Sequence, residues 1–211
     1  MSPQRWLALS LGLILAMYWA RVLRMAIKQR RKTGRGANFL PPEPWGRAIR
    51  IVWMPVVAAW IAHPFVNASR TTLPLLLAAL LDSIIIAIVG IVLAAIALAG
   101  SIVCWKRMGK SWRMGIDPNE TTPLIVTGPY EYVRHPIYAL SSLLMIASAL
   151  VIPSPFMIGL ALIHVTCLQW EARREEAHLI ATHGKSYAEY RRRVGRFLPR
   201  VSRKARHPEG A

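Results

Sequence analysis

The chain has 211 residues, of which 54% are apolar, and 27 Lys and Arg against 10 Asp and Glu give a formal net charge of +17. That length holds one domain or one compact helical bundle. So basic a chain suits either a nucleic acid or an anionic membrane surface. Several uncharged stretches of membrane-spanning length exclude a soluble nucleic-acid binder and favour the membrane.

In chain order, apolar stretches near the spanning length of about 20 residues run from Trp6 to Leu23, Ile49 to Phe65, Ser83 to Cys104, Ile137 to Ile152 and Ser154 to Trp170. Leu73 to Leu81 reads as an interfacial piece, set off from the third span by Asp82. The first stretch ends in Tyr18, Trp19 and Arg21 without a small-residue cleavage site, so it reads as an uncleaved span. Only Pro153, Ser154 and Pro155 separate the last two, which predicts a tight antiparallel pair. The predicted fold is therefore all-α: a polytopic membrane bundle of about five transmembrane helices with a C-terminal helical region on the cytoplasmic side. Residues 1–105 form its N-terminal part, 106–200 a core for chemistry, and 201–211 a basic tail.

Charge between the spans gives the orientation. Arg21 to Arg50, Lys106 to Arg134 and the tail after Glu171 are rich in Lys and Arg, whereas the alternate connections hold little beyond Arg5 and Arg70. Basic loops stay cytoplasmic, so the N-terminus is expected outside and the C-terminus inside. The longest polar connection then lies beside the tail, where a soluble cofactor could be held. Cys104 and Cys167 end apolar runs without CxxC spacing or a His-rich neighbour. No metal site or disulfide framework is expected from them.

Three polar clusters remain: Gly109 to Asp117 with Thr121, Thr122 and Pro123; Thr127 to Tyr138; and Glu171 to Leu179 followed by His183-Gly184, Tyr187, Tyr190 and Val194 to Pro199. In the second, Gly128-Pro129 marks a turn, and Pro136 opens the fourth span, where a missing N–H costs nothing. His135 precedes that helix start, whose free N–H groups favour an anionic group. Arg134, Tyr130 and Tyr138 add donors and an aromatic face. An ordinary headgroup anchor fits these residues equally well. In the third cluster, Glu171 and Glu175 share a helix face and Glu176 flanks it. They can hold a ligand ammonium or ribose, or simply pair with Arg173 and Arg174. Tyr187, Tyr190 and Phe197 read as the apolar face of a tail helix.

Taken together, Gly-Pro-Tyr-x-x-x-Arg-His-Pro-x-Tyr, a helical hairpin, Glu-Glu, His-Gly-x-x-Tyr-x-x-Tyr and Arg-Phe-x-Pro resemble the isoprenylcysteine carboxyl methyltransferase family and its bacterial relatives, over Lys106 to Pro199. The resemblance implies S-adenosylmethionine as cofactor, held by Thr122, Leu124, Ile125, Tyr130, His135, Pro136, Ile137, Tyr138 and Glu175, with Arg134 and Glu176 in support. It implies a lipophilic acceptor entering from the bilayer, with Arg173 or Arg196 orienting it, and a bacterial inner membrane whose anionic headgroups meet the basic tail. Three positions depart from the family pattern: Leu140 replaces a frequent Gly, His183 precedes Gly184 in place of Phe, and Glu171 stands where the family holds an arginine for a substrate carboxylate. Membrane sterol reductases share Arg-His-Pro-x-Tyr but usually lack the glutamate pair. An amine-directed phospholipid methyltransferase, with Glu171 attracting the ammonium, is the alternative acceptor class. A transporter or scaffold would instead place ionisable residues deep within its spans, where only Asp82 and His164 are candidates.

Overall fold

The structure is a computed structural model that describes residues 2–33, 41, 43–69, 83–112, 116 and 123–200. Thr122, the Leu73 to Leu81 piece, Asp82 and the tail from residue 201 lie outside the described residues. Helix α1 spans Pro3–Thr33, α2 Pro44–Ser69 and α3 Ile84–Met108, which ends in a 3-10 turn, Gly109–Ser111. The short α4 is Pro129–Tyr132, α5 is Pro136–Val151 and α6 is Pro155–Arg193. Among the described residues there is no strand, only an isolated parallel bridge between Val133 and Gly195. The all-α bundle expected from the sequence is the observed fold.

Two boundaries differ from the sequence reading. α1 runs on through the basic residues after Leu23, and α6 continues without a break from its apolar half into the acidic and basic segment beyond Trp170. Hydropathy marks where a helix leaves the bilayer, but nothing in either sequence stops the helix there. Four helices are long and apolar enough to cross a membrane. The fifth, α5, has 16 residues, about 24 Å at 1.5 Å per residue, and falls short of a hydrocarbon core of about 30 Å.

The outer surface confirms the bilayer setting. Ile85, Val89, Val92, Ile96 and Val103 of α3 are all exposed, as are Leu13 and Met17 of α1 and Leu162 of α6. A soluble protein rarely exposes so continuous an apolar surface; lipid tails solvate it. This is an integral membrane protein.

The inward face of α3 is a row of small residues, Ala87, Gly90, Ala94, Ala97, Ser101 and Cys104. It lets α5 approach closely: a Cβ at Gly90 would sit 2.7 Å from Val151, and one at Gly100 3.0 Å from Leu140. Such backbone proximity replaces the hydrophobic drive that lipid cannot supply, and it holds the short α5 in place. The core gathers Leu11, Leu15, Trp60, Leu144, Met145 and Met157. A polar ladder fixes α2 against α5 and α6. Trp53 donates its indole N–H to His164 Nδ1 at 3.0 Å, and His164 Nε2 lies 3.0 Å from Ser141 Oγ. Since Nδ1 accepts, Nε2 carries the proton and donates, so the imidazole is neutral with both nitrogens satisfied. Trp60 donates to Ser148 Oγ at 2.9 Å, and Ser148 to the Leu144 carbonyl. His164 thus serves the helix packing.

Candidate functional site

The site grows from the start of α5. Gly128, with φ +67°, turns the chain into α4, and the extended Val133 ends that helix after one turn. Pro136 then opens α5 at the first helical position, with His135 as its N-cap. The segment between them is clasped by the end of the chain. Arg134 N–H donates to the Gly195 carbonyl at 2.8 Å, and His135 N–H to the Arg196 carbonyl at 3.0 Å. Tyr190 Oη donates to the Tyr130 carbonyl at 2.6 Å. Gly195 is required for this contact, because a Cβ there would lie 1.9 Å from the Leu198 carbonyl oxygen. The chain reaches back because α6 bends at Gly184, whose φ of +52° and ψ of −123° are not helical.

One carboxylate locks the clasp. Glu176 is buried. Arg134 donates to its Oε1 through Nε at 3.2 Å and Nη2 at 2.9 Å, and Arg196 donates to Oε1 at 2.9 Å and Oε2 at 2.8 Å. Arg134 also reaches the carbonyls of Arg191 and Val194. Burial disfavours the Glu176 anion, but His135, Arg196 and Arg134 outweigh it and hold its carboxyl far below the usual range. Burial disfavours the His135 cation too. There the carboxylates of Glu175, 3.4 Å from Nδ1, and Glu176, 3.4 Å from Nε2, win and raise its pKa above 6.5.

A cavity of about 190 Å³, open at its mouth, lies beside the clasp. Its outer wall holds Tyr130, His135, Glu175, Thr182 and Tyr187, with Leu124, Ile125 and Ile137 as apolar neighbours. Its inner wall descends among Tyr18, Trp19, Trp53, Trp105, Ser141 and Leu168, inside the bundle. His135 stacks on Tyr138 at 5.4 Å and 4°. Two buried polar atoms on the outer wall have no hydrogen-bond partner, Tyr130 Oη and Tyr187 Oη. Burial pushes both phenols up, so they stay neutral O–H donors.

The residues singled out in the sequence divide. Leu124, Ile125, Tyr130, Arg134, His135, Pro136, Ile137, Tyr138 and Glu175 come together on the cavity wall. Glu176 stands behind it, engaged by the two arginines. Arg196 is committed to Glu176, and the exposed Arg173 is not among the lining residues. A second arginine lines the cavity besides Arg134: Arg50 of α2, buried and 3.4 Å from Glu171. In the sequence it counted only as one more loop cation. Its signal was its place beside Ile49 and three residues before Trp53, on the border of the inward stripe Ile49, Trp53, Val56 and Trp60. Tyr187 was legible as a packing residue but not as a donor.

Residues 85–186 match the family model described as phospholipid methyltransferase. The nickel-cobalt-cadmium resistance protein NccN of Alcaligenes xylosoxydans xylosoxydans is 26% identical over 101 residues, which are 47% of this chain and 47% of that protein. The chain therefore matches about half the length of that curated relative. No solved structure matches the chain. The matched stretch runs from α3 to just past the Gly184 bend, and includes the start of α5, Glu171, Glu175 and Glu176. The half of the chain that builds the cavity's outer wall is thus similar to a family of membrane methyltransferases.

Proposed function

We propose that the protein is a membrane methyltransferase that uses S-adenosylmethionine and modifies a lipid-like acceptor. The observation that carries this reading is the cavity itself: a polar outer chamber with two unpartnered buried donors, Tyr130 Oη and Tyr187 Oη, that continues into an apolar inner chamber within the bundle. Orphaned buried polar atoms are costly and mark where a polar ligand belongs. The outer chamber fits the cofactor chemically. Glu175 offers a carboxylate to an ammonium, Tyr130 and Tyr187 offer donors to carboxylate or ribose oxygens, and Leu124, Ile125 and Ile137 offer an apolar wall.

S-adenosylmethionine supplies a methyl group on a sulfonium, whose departure leaves a neutral thioether. The chain's own work is to bind, align and exclude water. Glu176 holds His135 and Arg134 in place without lining the cavity itself. The inner chamber takes the acceptor's hydrocarbon and presents its nucleophile upward, along α6, to the outer chamber. Isoprenylcysteine-type carboxyl methylation and phospholipid-type amine methylation both fit this plan, and the family match favours the second.

The test is calorimetric titration of the detergent-solubilised chain with S-adenosylhomocysteine. Saturable one-to-one binding is expected, weakened at least about tenfold by Glu175→Gln. A wild-type chain that takes up none of the nucleotide while keeping its melting temperature refutes the reading.

A further inference from the structure

Arg50 and Glu171 are both 4% exposed, yet they do not satisfy each other. Arg50 Nη2 stands 3.4 Å from Glu171 Oε1, while Arg50 Nε and Glu171 Oε1 have no hydrogen-bond partner. Both residues line the cavity. The other faces of the pair are occupied. Arg174 donates to Glu171 Oε2 at 2.9 Å and also pairs with Glu43, and the Arg50 guanidinium lies 5.1 Å over the Trp53 ring. A buried ion pair repays its desolvation only when its remaining donors and acceptors are matched. Here one donor and one acceptor of the pair are left over on the cavity lining. Glu171 lies four residues before Glu175, about 6 Å along α6.

We infer that Arg50 and Glu171 together form the acceptor-head site and determine acceptor specificity, taking a head that carries a hydrogen-bond donor next to an anionic or carbonyl oxygen. This inference rests on reading the inner chamber as the acceptor's. Arg50 Nε–H donates to the oxygen, and Glu171 Oε1 accepts from the N–H or O–H. Arg50, Glu171, Arg174 and Glu43 sum to zero charge, so the cluster gives no net attraction to a bare anion or a bare cation. A head with both functions satisfies both orphans; a simple carboxylate satisfies Arg50 and meets the Glu171 anion.

The test compares three single-chain amphiphiles of equal chain length, dodecyl phosphoethanolamine, dodecanoate and dodecylamine. Each is titrated into the full chain in neutral detergent and followed by tryptophan fluorescence. The zwitterion is expected to bind at least about tenfold tighter than either singly charged probe. The paired variant Arg50→Met with Glu171→Met exchanges the ion pair for apolar volume, a change buried pairs often tolerate, and should abolish that preference. It should still bind S-adenosylhomocysteine saturably, which shows that the variant is folded. Tightest binding by dodecanoate, or a preference that survives in the paired variant, overturns the inference. The wild-type preference alone decides the matter if the variant does not fold. A wild-type chain that shows the preference but takes up no nucleotide upholds this site and removes the methyltransferase reading instead.

Discussion

Glu175 and Glu176 are neighbours in sequence with unlike fates. Glu176 has every oxygen taken by arginines behind the wall, whereas Glu175 lines the cavity, its side chain about one-third exposed. Removing the Glu176 charge strands Arg134 and part of Arg196. Breaking a buried pair on one side costs about 3–5 kcal/mol, so Glu176→Gln should lower the melting temperature markedly, whereas Glu175→Gln should leave it nearly unchanged and weaken only the nucleotide. Differential scanning in detergent with the matching titrations separates them. The same cluster sets a pH window. His135, with a raised pKa, stabilises the fold fully below about 6.5 and loses that contribution as pH rises through its folded value; Glu176, with a depressed one, stabilises above about 4.5 and loses it as pH falls through its folded value. The melting temperature should therefore decline from pH 6 toward pH 9, and His135→Gln should flatten that decline. An identical slope in the variant would mean that other groups govern it.

Two glycines show how the elements are joined. At Gly195 the obstacle is space, since a Cβ would collide with the Leu198 carbonyl; at Gly184 it is backbone conformation, since nothing lies within 4 Å but φ is +52°. Gly184→Ala should cost about 1–3 kcal/mol of stability while the clasp still closes. Gly195→Ala should open the clasp, free the Arg134 and His135 N–H groups, and weaken S-adenosylhomocysteine at least about tenfold. The two titrations, run beside melting curves, read this difference. The clasp also explains what the sequence disclosed. Gly128-Pro129, Pro136 and the Glu pair were legible because turn chemistry and helix starts are local. Arg196 was assigned to orienting an acceptor because its contact with Glu176 is not local: the segment that carries Arg196 comes back to Glu176 only after the Gly184 bend. Arg50 was passed over because its partner is on α6, and a cation at a helix end has an ordinary explanation in topology. Helix ends beyond the bilayer were misjudged for a similar reason, as hydropathy ends at the interface and hydrogen bonding does not.

At the scale of the molecule, length alone counts four crossings, but the contacts require α5 to count as well. His135, at the start of α5, touches Glu175 and Glu176, which lie beyond the apolar half of α6. The chain therefore leaves one membrane face along α5, turns at Ile152 to Ser154, and returns to the same face along α6. The end of α3 agrees, since Met108 and Trp112 line the same cavity as Glu175. Whether the short α5 spans a thinned bilayer or stops within it, the start of α5 and the end of α6 share a side, and the expectation drawn from the basic segments is that this side is cytoplasmic. In a background with Cys104 and Cys167 changed to Ser, Glu189→Cys should resist a membrane-impermeant maleimide in intact cells and react after permeabilisation. Ser2→Cys should react without permeabilisation. Labelling of Pro153→Cys from outside would establish that α5 crosses completely, and protection there would make the α5–α6 pair re-entrant. Labelling of Glu189→Cys in intact cells would put the polar chamber on the outer face, away from any cytoplasmic nucleotide.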